Sequence, residues 1–572
     1  MSVIGNPAGR LFRRLCLMFA LMLSLPWLAQ AGEGFAPVTN PNLALGLAPV
    51  NDWSVEQPFL DVMKTARPWV AHLPGQWGGW GESELRAAGA LDAQGWPTRI
   101  PPEVTAISTL ILTDLPEDAG GVAGRYILTW QGRGELQVTG RARIVARAPG
   151  RMEFYYKPGE GAVILTIAAT DPADPIRALT VVREDRAAAL AEGDLFNPDW
   201  LARIRGVRLL RFMDWMATND STIAHPGDRP MPDDYSWARR GVPLEVIAAL
   251  ADTLGADPWI NVPHMADDAL VREMARVMKD RLDPARTLWL EYSNEVWNWQ
   301  FAQARWADAQ ALARWGQKDA WVQFYALRAA EVMRLWAGAA GEGARLNRVI
   351  ATQTGWFGLE GDILEAPLVL AEGGEAPSTA FDSYAITGYV SGALGGEGKA
   401  PVIRGWLAES LAAAQEAGRG LAPRAADAFV AAHRFDRAIG LAAAEIRDGS
   451  VTGDRTDSLA DVLGRVFPYH AGVAVRHGLR LVMYEGGSHV TGIGALVDDD
   501  DLTAFFTTLN YSPQMGEIYR DLLAGWARVT DAPFNAYLDV QTPGKWGSWG
   551  ALRHLGDDNP RWRALSGACL RC

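Results

Sequence analysis

From about residue 190 onward the sequence alternates short apolar runs with long helical stretches, and this alternation constrains the fold more than any other feature. The runs fall at 206–213, 258–262, 287–292, 348–352, 383–387, 479–484 and 534–538. Buried parallel strands read as continuous apolar runs, and strands alternating with helices build βα units. Seven such runs, with an eighth strand ahead of them, predict an α/β fold of the (β/α)8 barrel type. The segment 59–64 is the expected first strand.

The period differs earlier in the chain. Short β-rich runs at 125–130, 135–139, 142–146, 151–156, 162–167 and 178–183 are separated by Gly and Pro turns. Six or more strands without helices predict a small β-sandwich. The expected organisation is therefore an N-terminal part of the barrel over 32–98, an inserted sandwich over 99–188, the main barrel over 189–556 and a tail over 557–572. Alanine-rich helices between 404 and 448 exceed what one crossover needs. They predict a helical insertion near 391–460, after the sixth strand.

The N-terminus carries Arg10, Arg13 and Arg14, an apolar stretch over 15–28, and Ala29-Gln30-Ala31. That is the pattern of a signal peptide over 1–31. The mature chain is expected to begin near Gly32 and to be exported, periplasmic or extracellular. A retained anchor is the alternative, but the apolar run is shorter than the roughly 20 residues that span a bilayer. No integral membrane span is expected after cleavage. The formal net charge of −13 argues against partners that present phosphates, so no nucleic-acid partner is expected. Cys16 leaves with the signal; Cys569 and Cys572 stand as a close pair that an oxidising compartment could bridge.

Tryptophan is abundant, with 24 residues. Several lie in glycine-rich loops, as in Lys545-Trp546-Gly547-Ser548-Trp549-Gly550. Such rings can present flat apolar faces to the C–H face of a sugar. Two carboxylates have matched settings. Leu290-Glu-Tyr-Ser-Asn-Glu-Val-Trp-Asn298 places Glu295 past one apolar strand, and Leu481-Val-Met-Tyr-Glu-Gly-Gly-Ser-His489 places Glu485 past another. Gly486 and Gly487 predict a sharp turn with room for a ligand. Two such acids suffice to cleave a glycosidic bond, one protonating the leaving oxygen and the other attacking or activating water.

Ser293-Asn294-Glu295 at a fourth strand, with Glu485-Gly486-Gly487 at a seventh, resembles clan A of the glycoside hydrolases, retaining enzymes on a (β/α)8 barrel. The inserted sandwich is not part of the basic clan pattern. The resemblance implies Glu295 as acid/base and Glu485 as nucleophile, acting without cofactor or metal on a carbohydrate that is β-linked. It places Arg211 near the nucleophile and Asn294 on the sugar 2-hydroxyl. His264 would line the site, Tyr389 would donate to Glu485 with Tyr384 competing for that part, and Trp546 or Trp549 would floor the subsite.

Blander readings stand beside these. Glu295 could be a helix N-terminal acid, Arg211 a buried partner of Asp214 or Glu291, and either tryptophan core. His264 with Asp267 and Asp268 could suggest a metal, although solvated loop acids fit better. His489 fits the site or a loop equally. A polysaccharide-binding protein without turnover, or a transglycosylase, would present the same residues.

Overall fold

The structure, a computed structural model, describes residues 35–567. The expected signal peptide and the Cys569–Cys572 pair lie outside the described residues. Eight parallel strands close a barrel in sequence order: β1 (Leu43–Gly46), β2 (Leu209–Arg211), β3 (Asp257–Val262), β4 (Leu288–Tyr292), β5 (Leu346–Ala351), β6 (Ser383–Val390), β7 (Arg480–Ser488) and β8 (Phe534–Ala536). Closure falls on β1, which pairs with β2 on one side and β8 on the other. Each of the seven expected runs overlaps one barrel strand. Trp259 and Trp289 stack within the barrel at 5.2 Å.

The first strand is not 59–64. It is the four-residue Leu43–Gly46, buried on every side. A Cβ at Gly46 would stand 1.9 Å from the Tyr537 carbonyl oxygen, so the strand needs glycine there. The segment 59–64 instead enters a 3₁₀ turn, Val62–Thr65, because Asp61 caps it by accepting from the Met63 N–H. Phe59 packs edge-on to Trp237.

Between β1 and β2 lie two antiparallel sheets. One has the order 79–80, 70–72, 106–111, 163–170, 134–140, and the other 177–183, 124–131, 151–156, 143–148. Their strands alternate buried and outward residues, as in Arg151–Tyr156, where Met152, Phe154 and Tyr156 point inward. The Tyr156 hydroxyl ties the sheets by donating to the Leu112 carbonyl. Two strands, Val70–His72 and Gly79–Trp80, fall within the stretch expected to belong to the barrel. They are too short to leave an alternation signal. Entry and exit of this insert run side by side: Leu60 N–H donates to Leu195 O and Asn197 N–H to Pro58 O, both at 2.9 Å.

Helices Ala400–Ala417, Pro423–His433 and Asp436–Asp448 form the insertion after β6. The tail is helical over Pro560–Gly567 and is held to the start of the chain, where Asn40 donates to the Leu565 carbonyl. No described helix is long and apolar enough to cross a membrane.

Candidate active site

The C-terminal ends of the barrel strands surround a cavity of about 860 Å³, lined by Glu295 and Glu485 together with Tyr389, Tyr484, His489, Tyr537 and Trp549. Barrel enzymes build their sites at this end. Glu295 follows β4 in a turn, and a helix begins only at Ala302, so it is not a helix N-terminal acid. Ser293 and Glu295 both adopt positive φ, 59° and 39°. Non-glycine residues pay for that conformation, and such strain collects at functional sites.

Glu485 lies within β7 rather than beyond it. The pairing of β6 with β7 shifts by one between Ile386 and Thr387, so that Met483 faces Ile386 and Glu485 faces Thr387. Tyr484 is the extra residue. A bulge of this kind re-aims side chains, and here both Tyr484 and Glu485 reach the cavity. The two glycines that follow do not make the expected turn; the strand runs on through Ser488. A Cβ at Gly486 would meet Met483 Sδ at 2.6 Å and Phe534 Cζ at 2.8 Å, and Gly487 combines φ 142° with the Tyr519 hydroxyl 2.6 Å from such a Cβ. Close packing requires them.

Glu485 is held by charge. Arg211 Nη1 donates to its Oε1 at 3.0 Å, and the Tyr389 hydroxyl to its Oε2 at 2.9 Å. Tyr384, the competitor for that part, bonds the His470 ring instead. Arg211 is fixed in turn by Glu291, whose Oε2 also accepts from Trp259 and Asn261. The guanidinium therefore bridges two carboxylates. Burial works against its charge, but Glu291 and Glu485 outweigh that and hold its pKa above the ordinary value. Asp214 is not its ion-pair partner.

Glu295 is held by neutral groups. The Tyr484 hydroxyl donates to Oε1 at 2.9 Å and the Asn298 amide to Oε2 at 3.0 Å. Burial pushes the Glu485 carboxyl up, to about 8; Arg211 and the Tyr389 hydroxyl oppose this, while Glu295 and Asp214 add to it. Burial likewise pushes Asp214 up, to about 7, against the pull of Arg211. Closely spaced carboxyls titrate as a group, so near neutral pH Glu485 and Asp214 retain a proton between them.

The other expected residues separate into three places. Asn294 is buried, accepting from Arg211 at 2.8 Å and donating to Asn219 at 3.1 Å, and stands behind the cavity wall. His264 is buried against Trp306 and is not among the lining residues; burial holds its imidazole down, at about 4. Asp267 caps the helix Asp268–Arg281 and pairs with His225. Trp549 lines the cavity, edge-on to Tyr389 and Tyr537, with His489 stacked on it at 5.2 Å. Trp546 lines a smaller neighbouring pocket rather than the cavity. His489 thus belongs to the site.

Sequence reasoning did not find Tyr484, Asn298, Tyr537 or the wall formed by Asp457, Asp461 and Arg465. Strand alternation would turn Tyr484 away from the face that carries Glu485. The far wall follows the helical insertion, at a π-helical turn, Val462–Val466, a departure that often marks functional positions.

The chain matches no protein-family model and no curated protein. Among solved structures it is similar to one described as the structure of two fungal beta-1,4-galactanases. The identity is 11%, the TM-score 0.30, and the match covers 60% of this chain and 80% of that one.

Proposed function

We propose that the protein is a retaining glycoside hydrolase, with Glu485 as nucleophile and Glu295 as general acid/base. The observation that carries this reading is the difference in setting between two acids that line one cavity, at the ends of the fourth and seventh strands. A nucleophile must be ionised when it attacks the anomeric carbon. Arg211 and Tyr389 place a cation and a hydroxyl donor on the two oxygens of Glu485, the surroundings of a carboxylate. The acid must carry a proton to the leaving oxygen, and Glu295 has no cation on it.

In the first step Glu485 forms a bond to the anomeric carbon as Glu295 protonates the departing oxygen. In the second, Glu295 takes a proton from water, which displaces Glu485 with overall retention. Asn294, bonded to Arg211 and Asn219 behind the wall, would keep Arg211 on Glu485 rather than meet the sugar 2-hydroxyl itself, and Trp549 would floor the ring. His264 supports the β3 end from behind. Export through the N-terminal segment and a β-linked substrate remain part of the proposal.

The test is a panel of β-linked polysaccharides and aryl glycosides, followed by reducing-end release and by NMR of the first-formed anomer. Release with retention supports the reading. Inversion would assign Glu485 as a base, and chain lengthening without net release would assign transglycosylation.

A further inference from the structure

A second pocket, of about 220 Å³, opens beside the cavity between the loop after β1 and the loop after β8. Trp549 lines both. Trp53 and Trp546 also line it and are 53% and 69% exposed, unusual for so large an apolar ring. Their neighbours there include Gln541 and Thr542. One wall holds Glu56, whose residue is only 2% exposed and whose Oε1 is buried with no hydrogen-bond partner. A buried polar oxygen left unpaired is costly, so this wall lacks a group that would complete it.

Resting on the glycosidase reading above, we propose that this pocket binds the adjoining sugar units of a polysaccharide, whose scissile bond lies between Glu295 and Glu485. The chain would pass over Trp549, stack on Trp53 and Trp546, and bring a hydroxyl to Glu56. Arg67 stands 5.9 Å from the Trp53 ring centre and Lys545 5.0 Å from that of Trp546. Burial, with Asp539 nearby, pushes the Glu56 carboxyl well above its ordinary value, so it meets a hydroxyl as a neutral group.

The experiment uses the full chain with Trp53→Ala and Glu56→Gln. The probes are β-1,4-linked gluco-, manno-, xylo- and galacto-oligosaccharides of graded length, and an oligogalacturonate series. The expected result is that wild type cleaves one of these series with kcat/KM rising with length. Both variants should lose about tenfold on the longer members and release a different set of product lengths. Unchanged rates and products in both variants, with wild type active, would overturn the pocket and leave the two-carboxylate reading standing. If wild type cleaves nothing, that reading fails, and tryptophan fluorescence titration with the same oligosaccharides tests the pocket alone. Binding about tenfold weaker in Trp53→Ala supports it; equal binding, or none, overturns it.

Discussion

The two sides of the cavity hold their carboxyls by opposite means. On the β7 side, Glu485 is enclosed and meets a cation that is itself braced by Glu291. On the β4 side, Glu295 is partly open to the cavity and meets a phenol and an amide. A fixed cation stabilises an anion in low dielectric, and neutral donors do so less strongly. The roles thus follow from the neighbours rather than from the carboxyls themselves, which are chemically identical.

The largest expected effect breaks the β7 side. Glu485→Gln keeps size and removes the attacking charge, so turnover on any cleaved substrate should fall by about 10⁴-fold or more, while binding, followed by tryptophan fluorescence, persists. Next is the β4 side. Glu295→Ala should cost about 10²–10⁴-fold on a substrate with a poor leaving group. On a dinitrophenyl glycoside bond cleavage is partly spared, and azide should restore turnover by displacing Glu485 without a base. Equal losses in both variants with no azide effect would erase the proposed asymmetry.

Smaller changes sharpen it. Tyr389→Phe removes one charge-assisted bond and should cost about 10–100-fold in kcat/KM. Asn298→Ala on the other side should cost nearer threefold to tenfold, about the value of a neutral hydrogen bond. Rates from purified, folded variants decide the order.

Smallest is an effect on stability. Asp214 and Glu485 have folded pKa values raised by burial, to about 7 and about 8. The stability each contributes is complete below its unfolded value near 4 and is lost as pH rises through the folded value. The fold should therefore weaken between about pH 5 and pH 8 from these groups. Asp214→Asn should raise stability at pH 8 by up to about 2 kcal/mol, with the gain shrinking toward pH 5. A gain that is equal at both values would remove Asp214 from the titrating group.

The barrel was legible because parallel strands covered on both faces leave apolar runs such as 287–292 that nothing else explains. Glu295, Glu485, Arg211 and Tyr389 were reachable because each sits at a strand end. What stayed hidden depends on relations that leave no local mark. Leu43–Gly46 is recognisable as a strand only through its partners in β2 and β8. Tyr484 reaches Glu295 through a one-residue shift against β6, and nothing in the sequence of either strand announces a bulge. The glycines after Glu485 were visible but misread, since packing against Phe534 and Tyr519 demands the same residue as a turn does. Trp546 and Trp549, alike in sequence, part because the loop turns one into the cavity and the other outward.

The paired ends of the insert bear on how the chain can fold at all. Ala44 must meet Leu209, a closure across about 165 residues of chain if those residues are unstructured. Once the two antiparallel sheets form, the bonds joining 58–60 to 195–197 bring the intervening ends together. The effective loop then shortens to about 30 residues, which lowers the entropic cost of closure by ~1.5 kcal/mol. An insertion that looks like an interruption of the barrel is then a splint for its first seam, and a protein trimmed of it would need a short, stiff replacement to reach the same native state at a comparable rate.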